Sequence, residues 1–201
     1  MSDATSSKLL LALHSCTDRF GVAVQESVGA PRVAVFDDGR SLSNSLIERV
    51  DSLLPRSRWP KIQGLAVATG PGGFTGTRLT VVMARTLAQQ LGCPLLGVSA
   101  FALMAQRLQC SHQPFWITQV LPRRGVVAGQ YSIAGDTVTE IEVPHLLEDG
   151  RVVTPARSAE LDVEADVACL LTQLQLSLER RDHLPWQGVL PIYPPSPVGP
   201  V

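Results

Sequence analysis

Apolar residues along this chain fall into runs with two different periods. Leu9 to Leu13 is unbroken, the pattern of a strand buried on both faces, and the apolar pattern resumes at Phe20 to Gln25 after the polar Thr17-Asp18-Arg19. Two such runs across a short polar turn predict a hairpin. Val33 to Phe36 reads as a third strand, closed by Asp37-Asp38-Gly39. The period then changes: Leu42, Leu46, Val50, Leu53 and Leu54 recur at helical spacing, Ser45 and Glu48 offer a capping box, and Pro55 and Pro60 stop the helix. Leu65 to Ala68 predicts a fourth strand, Thr75 to Leu91 a helix stopped by Gly92 and Pro94, and Leu95 to Val98 a fifth strand. Ser99 then caps a helix that ends near Leu108.

The order β-β-β-α-β-α-β-α predicts an α/β layer built on a mixed sheet. Beyond it, Trp116 to Val120, Val126 to Ile133 and Val138 to Val143 read as strands, Ser158 to Arg180 as one long helix, and Val189 to Tyr193 as a short strand. A boundary near residues 109–114 divides the chain into lobes at 1–110 and 111–201. The tail from Pro185 to Pro200 holds six of the fifteen prolines, and Pro191 to Val201 suits a terminal strand ending in a polyproline-type extension or a proline-rich ligand. Glu160, Asp162, Glu164 and Asp166 alternate just where a helix begins, a placement in which carboxylates favour the positive end of the helix dipole.

The most informative segment is Gly70-Pro71-Gly72-Gly73-Phe74-Thr75-Gly76-Thr77-Arg78, between a strand and a helix. Its spacing is neither that of a Walker A loop nor G-x-G-x-x-G. Either it cradles an anion at the helix N-terminus or its glycines serve a tight crossover. In the following helix Thr80, Ala84 and Ala88 form a ridge of small side chains, which fits close approach by a second helix or by the sheet.

Composition narrows the picture. Apolar residues make up 45% and charged residues 17% of the 201, which excludes a disordered chain. The net charge of −1 hides an uneven distribution: residues 1–135 carry thirteen basic and seven acidic groups, residues 136–201 four and eleven. Cys16, Cys93, Cys110 and Cys169 form no C-x-x-C pair, and His14, His112, His145 and His183 no H-x-x-x-H, so metal-ligand spacing is missing and the thiols read as reduced. Cys110 and His112 form a lone C-x-H. The uncharged run from Thr86 to Gln106 is broken by Gln89, Gln90, Gly92, Pro94 and Gly97, as a helix, turn and strand would be, and the first residues lack the features of a signal peptide. These points predict a soluble, cytoplasmic protein with no membrane segment.

Three stretches resemble one known family. Leu10-Leu11-Ala12-Leu13-His14-Ser15-Cys16-Thr17 followed by Gly21-Val22-Ala23-Val24 resembles the opening hairpin of the bacterial TsaB proteins. Gly70 to Arg78, with Ala84-Arg85 and Leu87-Ala88, is similar to their central signature, and Pro94 to Ala105 to the segment after it. Pro122-Arg123-Arg124-Gly125 is a weaker echo. The resemblance implies an actin/hexokinase/Hsp70-like two-lobe fold with mixed sheets and a truncated second lobe. It also implies a non-catalytic subunit, without cofactor or metal of its own, in the pathway that makes N6-threonylcarbamoyladenosine in tRNA. The implied partners are the catalytic subunit TsaD, the ATPase TsaE and a second copy of the chain, with tRNA reached only through the complex. The surface the family uses would fall here on the helices at Leu42–Leu54 and Thr75–Leu91, with Leu46, Val50, Thr77, Thr80, Val81, Ala84, Arg85 and Ala88 as interface residues. On that expectation Ala84→Arg abolishes pairing.

Departures from the family pattern mark other readings. The family's first-loop aspartate is His14 here, its His-Ser is Leu42-Ser43, and its helix signature has Leu and Gly where this chain has Thr77 and Thr80. A small kinase-like phosphotransferase of the same superfamily needs a carboxylate for Mg²⁺, for which Asp18 is the nearest candidate. The basic N-terminal half, with Arg56-x-Arg58 and Arg123-Arg124, suggests a tRNA-binding module as a third reading.

Overall fold

The computed structural model describes residues 9–26, 30–108, 113–135 and 137–194. Cys110, His112 and the tail beyond Pro194 lie outside the described residues. The chain forms β1 (Leu9–His14), β2 (Phe20–Gln25), β3 (Arg32–Phe36), α1 (Leu42–Leu53), β4 (Ile62–Ala68), α2 (Phe74–Leu91), β5 (Leu95–Val98) and α3 (Ala100–Leu108). It continues with β6 (Phe115–Leu121), β7 (Gly125–Ala134), β8 (Thr137–Leu146), β9 (Ala156–Ser158) and α4 (Val163–Arg180).

The first sheet has the order β3-β2-β1-β4-β5, with β1 antiparallel to β2 and parallel to β4. Its central strand explains the unbroken apolar run. Leu9, Leu11 and Leu13 face the layer that contains Val50 of α1 and Val81, Ala84 and Ala88 of α2. Leu10 and Ala12 face the opposite layer, which contains Leu103 of α3 and Leu170, Leu171 and Leu174 of α4. A strand covered on both faces favours an unbroken apolar run, which here extends to Leu13, before the buried His14 that ends β1. The second sheet, β8-β7-β6-β9, packs Phe115, Ile117, Val127 and Tyr131 against Phe101, Met104 and Ala105 of α3. Two mixed α/β layers in this order are the actin/hexokinase-like architecture expected from the sequence. The dividing line near residue 110 separates the two sheets, while α4 crosses it to cover the first sheet.

Three local expectations are corrected. The first helix starts at Leu42 behind Ser41, and Ser45 lies inside it, donating its hydroxyl back to Ser41 O at 3.2 Å; there is no Ser45–Glu48 capping box. The long helix expected from Ser158 starts at Val163 instead. Residues 156–158 pair with β6 as a parallel edge strand, and Asp162, in extended backbone, caps α4 by accepting from Ala165 N at 3.1 Å. Val189 to Tyr193 is not a strand: after a 3₁₀ turn at Trp186–Gly188 the chain lies along the edge of the first sheet with single hydrogen bonds rather than a ladder.

Candidate functional site

Two surfaces meet at the start of α2. The first is a cleft of about 880 Å³ between the sheets, walled by Cys16 to Asp18, by Pro71 to Phe74, by Arg124 from the β6–β7 turn and by Ile192 to Pro194. The second is a groove of about 320 Å³ on the outer face of α2, formed by Phe74, Thr75, Arg78, Leu79 and Val82. Phe74 belongs to both.

The glycine-rich turn is built around the backbone of the β1–β2 loop. A Cβ on Gly72 would stand 2.1 Å from Cys16 O, and one on Gly76 2.9 Å from Ser15 O. Gly73 N donates to Cys16 O at 3.1 Å, and the Ser15 and Thr80 hydroxyls lie 2.8 Å apart. Gly70 takes φ +106°, a conformation open to glycine, and its carbonyl accepts from Ala100 N at 2.6 Å. The turn therefore joins three elements by close backbone approach, and one of its amides is committed to Cys16 O rather than offered to an anion. Of the two readings the sequence leaves open, the crossover has the supporting contacts.

The same geometry settles where the interface candidates lie. Leu46, Val50, Thr77, Thr80, Val81, Ala84 and Ala88 are all buried within the chain, between 0% and 6% exposed. The small ridge of Thr80, Ala84 and Ala88 faces the chain's own sheet, since β-strand side chains fill the other side of that layer. Arg85 is the one of the eight that reaches the surface, its guanidinium 5.8 Å from the Trp186 ring. Ala84→Arg would therefore drive a charge into the core and says nothing about pairing. The exposed face of α2 carries instead Phe74 at 44% and Val82 at 53%, with Arg78 between them. Beside it, α1 exposes Ile47 at 40%. The residues carried over from the family resemblance thus fall, Arg85 excepted, on the stripe that each helix turns toward the chain's own core.

His14 stands apart from both surfaces. It is fully buried, accepts weakly from Cys16 N through Nδ1 at 3.5 Å, and holds Nε2, which has no hydrogen-bond partner, 3.7 Å from Asp166 Oδ2. Asp166 in turn receives Arg107 Nε at 2.7 Å, and Arg107 Nη2 donates to Glu160 O at 2.7 Å. Burial, reinforced by the Arg107 charge, lowers His14 to about 4, so the imidazole is neutral near pH 7. Burial also pushes Asp166 up, opposed by its Arg107 partner. Cys16, at the cleft, is pushed up to about 12 by burial and is no thiolate nucleophile at neutral pH. The acidic string that reads as helix capping thus divides its work: Asp162 caps α4, and Asp166 turns inward to Arg107.

The unfolded His14 binds its proton near 6.5 and the folded one near 4, so between these values the unfolded chain holds more protons. Its contribution is complete above pH 6.5 and is lost as pH falls toward 4, amounting to about 3 kcal/mol. Urea unfolding of the native protein and His14→Gln between pH 4 and 7 measures this as the difference in slope; parallel curves would refute it.

Among the described residues no group of three or more His, Cys, Asp and Glu side chains is placed to hold a metal, and Asp18 is the acidic residue in the cleft wall. No described helix is long and apolar enough to cross a membrane.

Comparison with known proteins agrees with this architecture. The family model for "TsaD: tRNA N6-adenosine threonylcarbamoyltransferase" matches residues 37–168. The tRNA threonylcarbamoyladenosine biosynthesis protein TsaB of Escherichia coli K12 is 31% identical over 97 residues. That match spans 42% of this chain and 42% of the relative, less than half its length. Two Pseudomonas aeruginosa structures share the fold at 21% identity. One, described as an uncharacterized protein with similarity to the peptidase YeaZ, superposes with a TM-score of 0.74 over 94% of this chain and 100% of its own. The other, YeaZ, gives 0.67 over 92% and 99%.

Proposed function

From the premise that this chain belongs to the TsaD family, among its TsaB-type members, we propose that it is a non-catalytic partner subunit in the formation of N6-threonylcarbamoyladenosine on tRNA. On this reading it docks a TsaD-type catalytic subunit through the outer face of α2 and the adjoining part of α1. It works in the cytoplasm and reaches tRNA through the complex. A TsaE-type ATPase and a second copy of the chain are further partners of the same reading.

The observation that carries it is the outward stripe of α2. Phe74 and Val82 are large apolar side chains held about half exposed on one helix face, around a groove that no part of the described chain fills. Arg78 at its centre suits an apolar partner surface with an acidic residue opposite. The non-catalytic part of the reading draws support from His14, which stands where the family has its first-loop aspartate and is turned into the core toward Asp166.

The test is Val82→Glu. The position is exposed, so the variant keeps its melting temperature within about 2 °C of native, as surface substitutions do. It loses at least ~30-fold in affinity for the TsaD-type subunit by calorimetry, the scale of a central interface residue. Undiminished affinity would dismiss the α2 face.

A further inference from the structure

Beyond α4 the chain returns as a strap, residues 184–194, along the open edge of the first sheet. Leu184 O accepts from Leu95 N at 3.1 Å, and Ile192 N donates to Thr69 O at 2.7 Å. Between these anchors Val189 enters the core. Two glycines clear its path. A Cβ on Gly97 would lie 2.8 Å from Val189 Cγ1, and one on Gly70 2.9 Å from Ile192 O.

The strap then touches α2 twice, with Trp186 over Arg85 and with Tyr193, whose ring centroid lies 4.9 Å from that of Phe74. The Tyr193 hydroxyl is buried without a hydrogen-bond partner, so the ring and not the hydroxyl makes the contact. The inner side of the α2 start is held by the Gly73 N to Cys16 O bond and the Ser15–Thr80 pair. Its N-cap Gly73 offers no side-chain cap, however, and its outer side, where the Phe74 ring lies, is contacted by Tyr193. Phe74 is the first residue of that turn and lines both the cleft and the outer groove.

We propose that the strap is a positioning element for partner docking: Tyr193 holds Phe74 and the first turn of α2 in the arrangement that the partner meets, so affinity depends on a segment downstream of α4. This rests on the reading of the α2 face as the docking surface for a TsaD-type subunit. Releasing the strap leaves Phe74 to be ordered on binding, and that ordering weakens the complex. Tyr193 also forms part of the cleft wall, so strap, cleft and docking face share one ring pair.

The experiment compares full-length native protein, Tyr193→Ala, Tyr193→Phe and Gly97→Val. Affinity for the purified TsaD-type subunit is read by calorimetry, and exchange of the amides of residues 77–80, the first to be bonded within α2, reports the helix start. Tyr193→Ala is expected to bind at least ~10-fold more weakly, with faster exchange confined to these amides. Tyr193→Phe stays within about twofold, because the lost hydroxyl had no partner. Gly97→Val acts from β5 by unseating Val189; it weakens binding and speeds tryptic cleavage after Arg180 and Arg181. Native-like affinity of Tyr193→Ala overturns the strap's role while leaving the docking face intact. Failure of the native protein to bind at micromolar concentration overturns the docking face and, with it, this inference.

Discussion

Gly72→Ala is expected to unfold about 10 °C below the native protein, a loss of roughly 3–5 kcal/mol at about 2–4 °C per kcal/mol for a chain of this size. The added Cβ would fall 2.1 Å from Cys16 O, 2.5 Å from Cys16 Cα and 2.6 Å from Cys16 C. These are backbone atoms with no rotamer to escape into. The β1–β2 loop must move off the start of α2, breaking the Gly73 N to Cys16 O bond and disturbing the Ser15–Thr80 pair. Gly73→Ala is the control one residue away. A Cβ there meets Thr17 O at 3.9 Å, an ordinary contact, and the backbone at φ −58° accepts any residue. Its cost should stay within about 1 kcal/mol. Equal melting temperatures for the two variants would contradict the close-approach account of the turn.

Arg107→Met is expected to cost roughly 3–5 kcal/mol at pH 7, because it leaves the fully buried Asp166 carboxylate without its cation. The loss should shrink as pH falls. Burial already holds Asp166 above its ordinary value, and without the guanidinium it rises further, so protonation relieves the unpaired charge. The sign follows from linkage: a carboxyl raised in the folded state loses stability as pH climbs through its folded value. Adding Asp166→Asn to Arg107→Met should restore part of the stability at pH 7, since the buried group is then neutral. Denaturant melts of the single and double variants at pH 4 and 7 decide this. A single variant within about 1 kcal/mol of native at pH 7 would show that the pair is dispensable, and a double variant no better than the single would show that the unpaired carboxylate is not the source of the loss.

These two sites differ in how far the sequence announced them. The Gly70–Arg78 segment was conspicuous as a motif, and its position between β4 and α2 followed from the apolar runs on either side. Whether its amides face an anion or a neighbouring loop was not readable, because that depends on the β1–β2 loop, which arrives from elsewhere in the chain. Asp166 looked like one of four alternating carboxylates at a helix start. Its inward turn to Arg107, 59 residues away, left no local trace. The interface residues show the same limit in sharper form. Helical spacing of apolar side chains located α1 and α2 correctly, yet the stripe so located is the one the fold buries, and α2 exposes Phe74, Arg78 and Val82 instead.

By itself the sequence determined the order of strands and helices from β1 to α3, the α/β class and the family, because periodicity and short motifs are written in neighbouring residues. Its reach ended where contacts join distant segments. That α4 covers the first sheet, that His14 lies in a buried cluster with Asp166 and Arg107, and that a strap over residues 184–194 closes on Phe74 were decided only by tertiary packing. Side chains in those contacts are chosen to fit partners far along the chain, and local pattern carries no record of that choice.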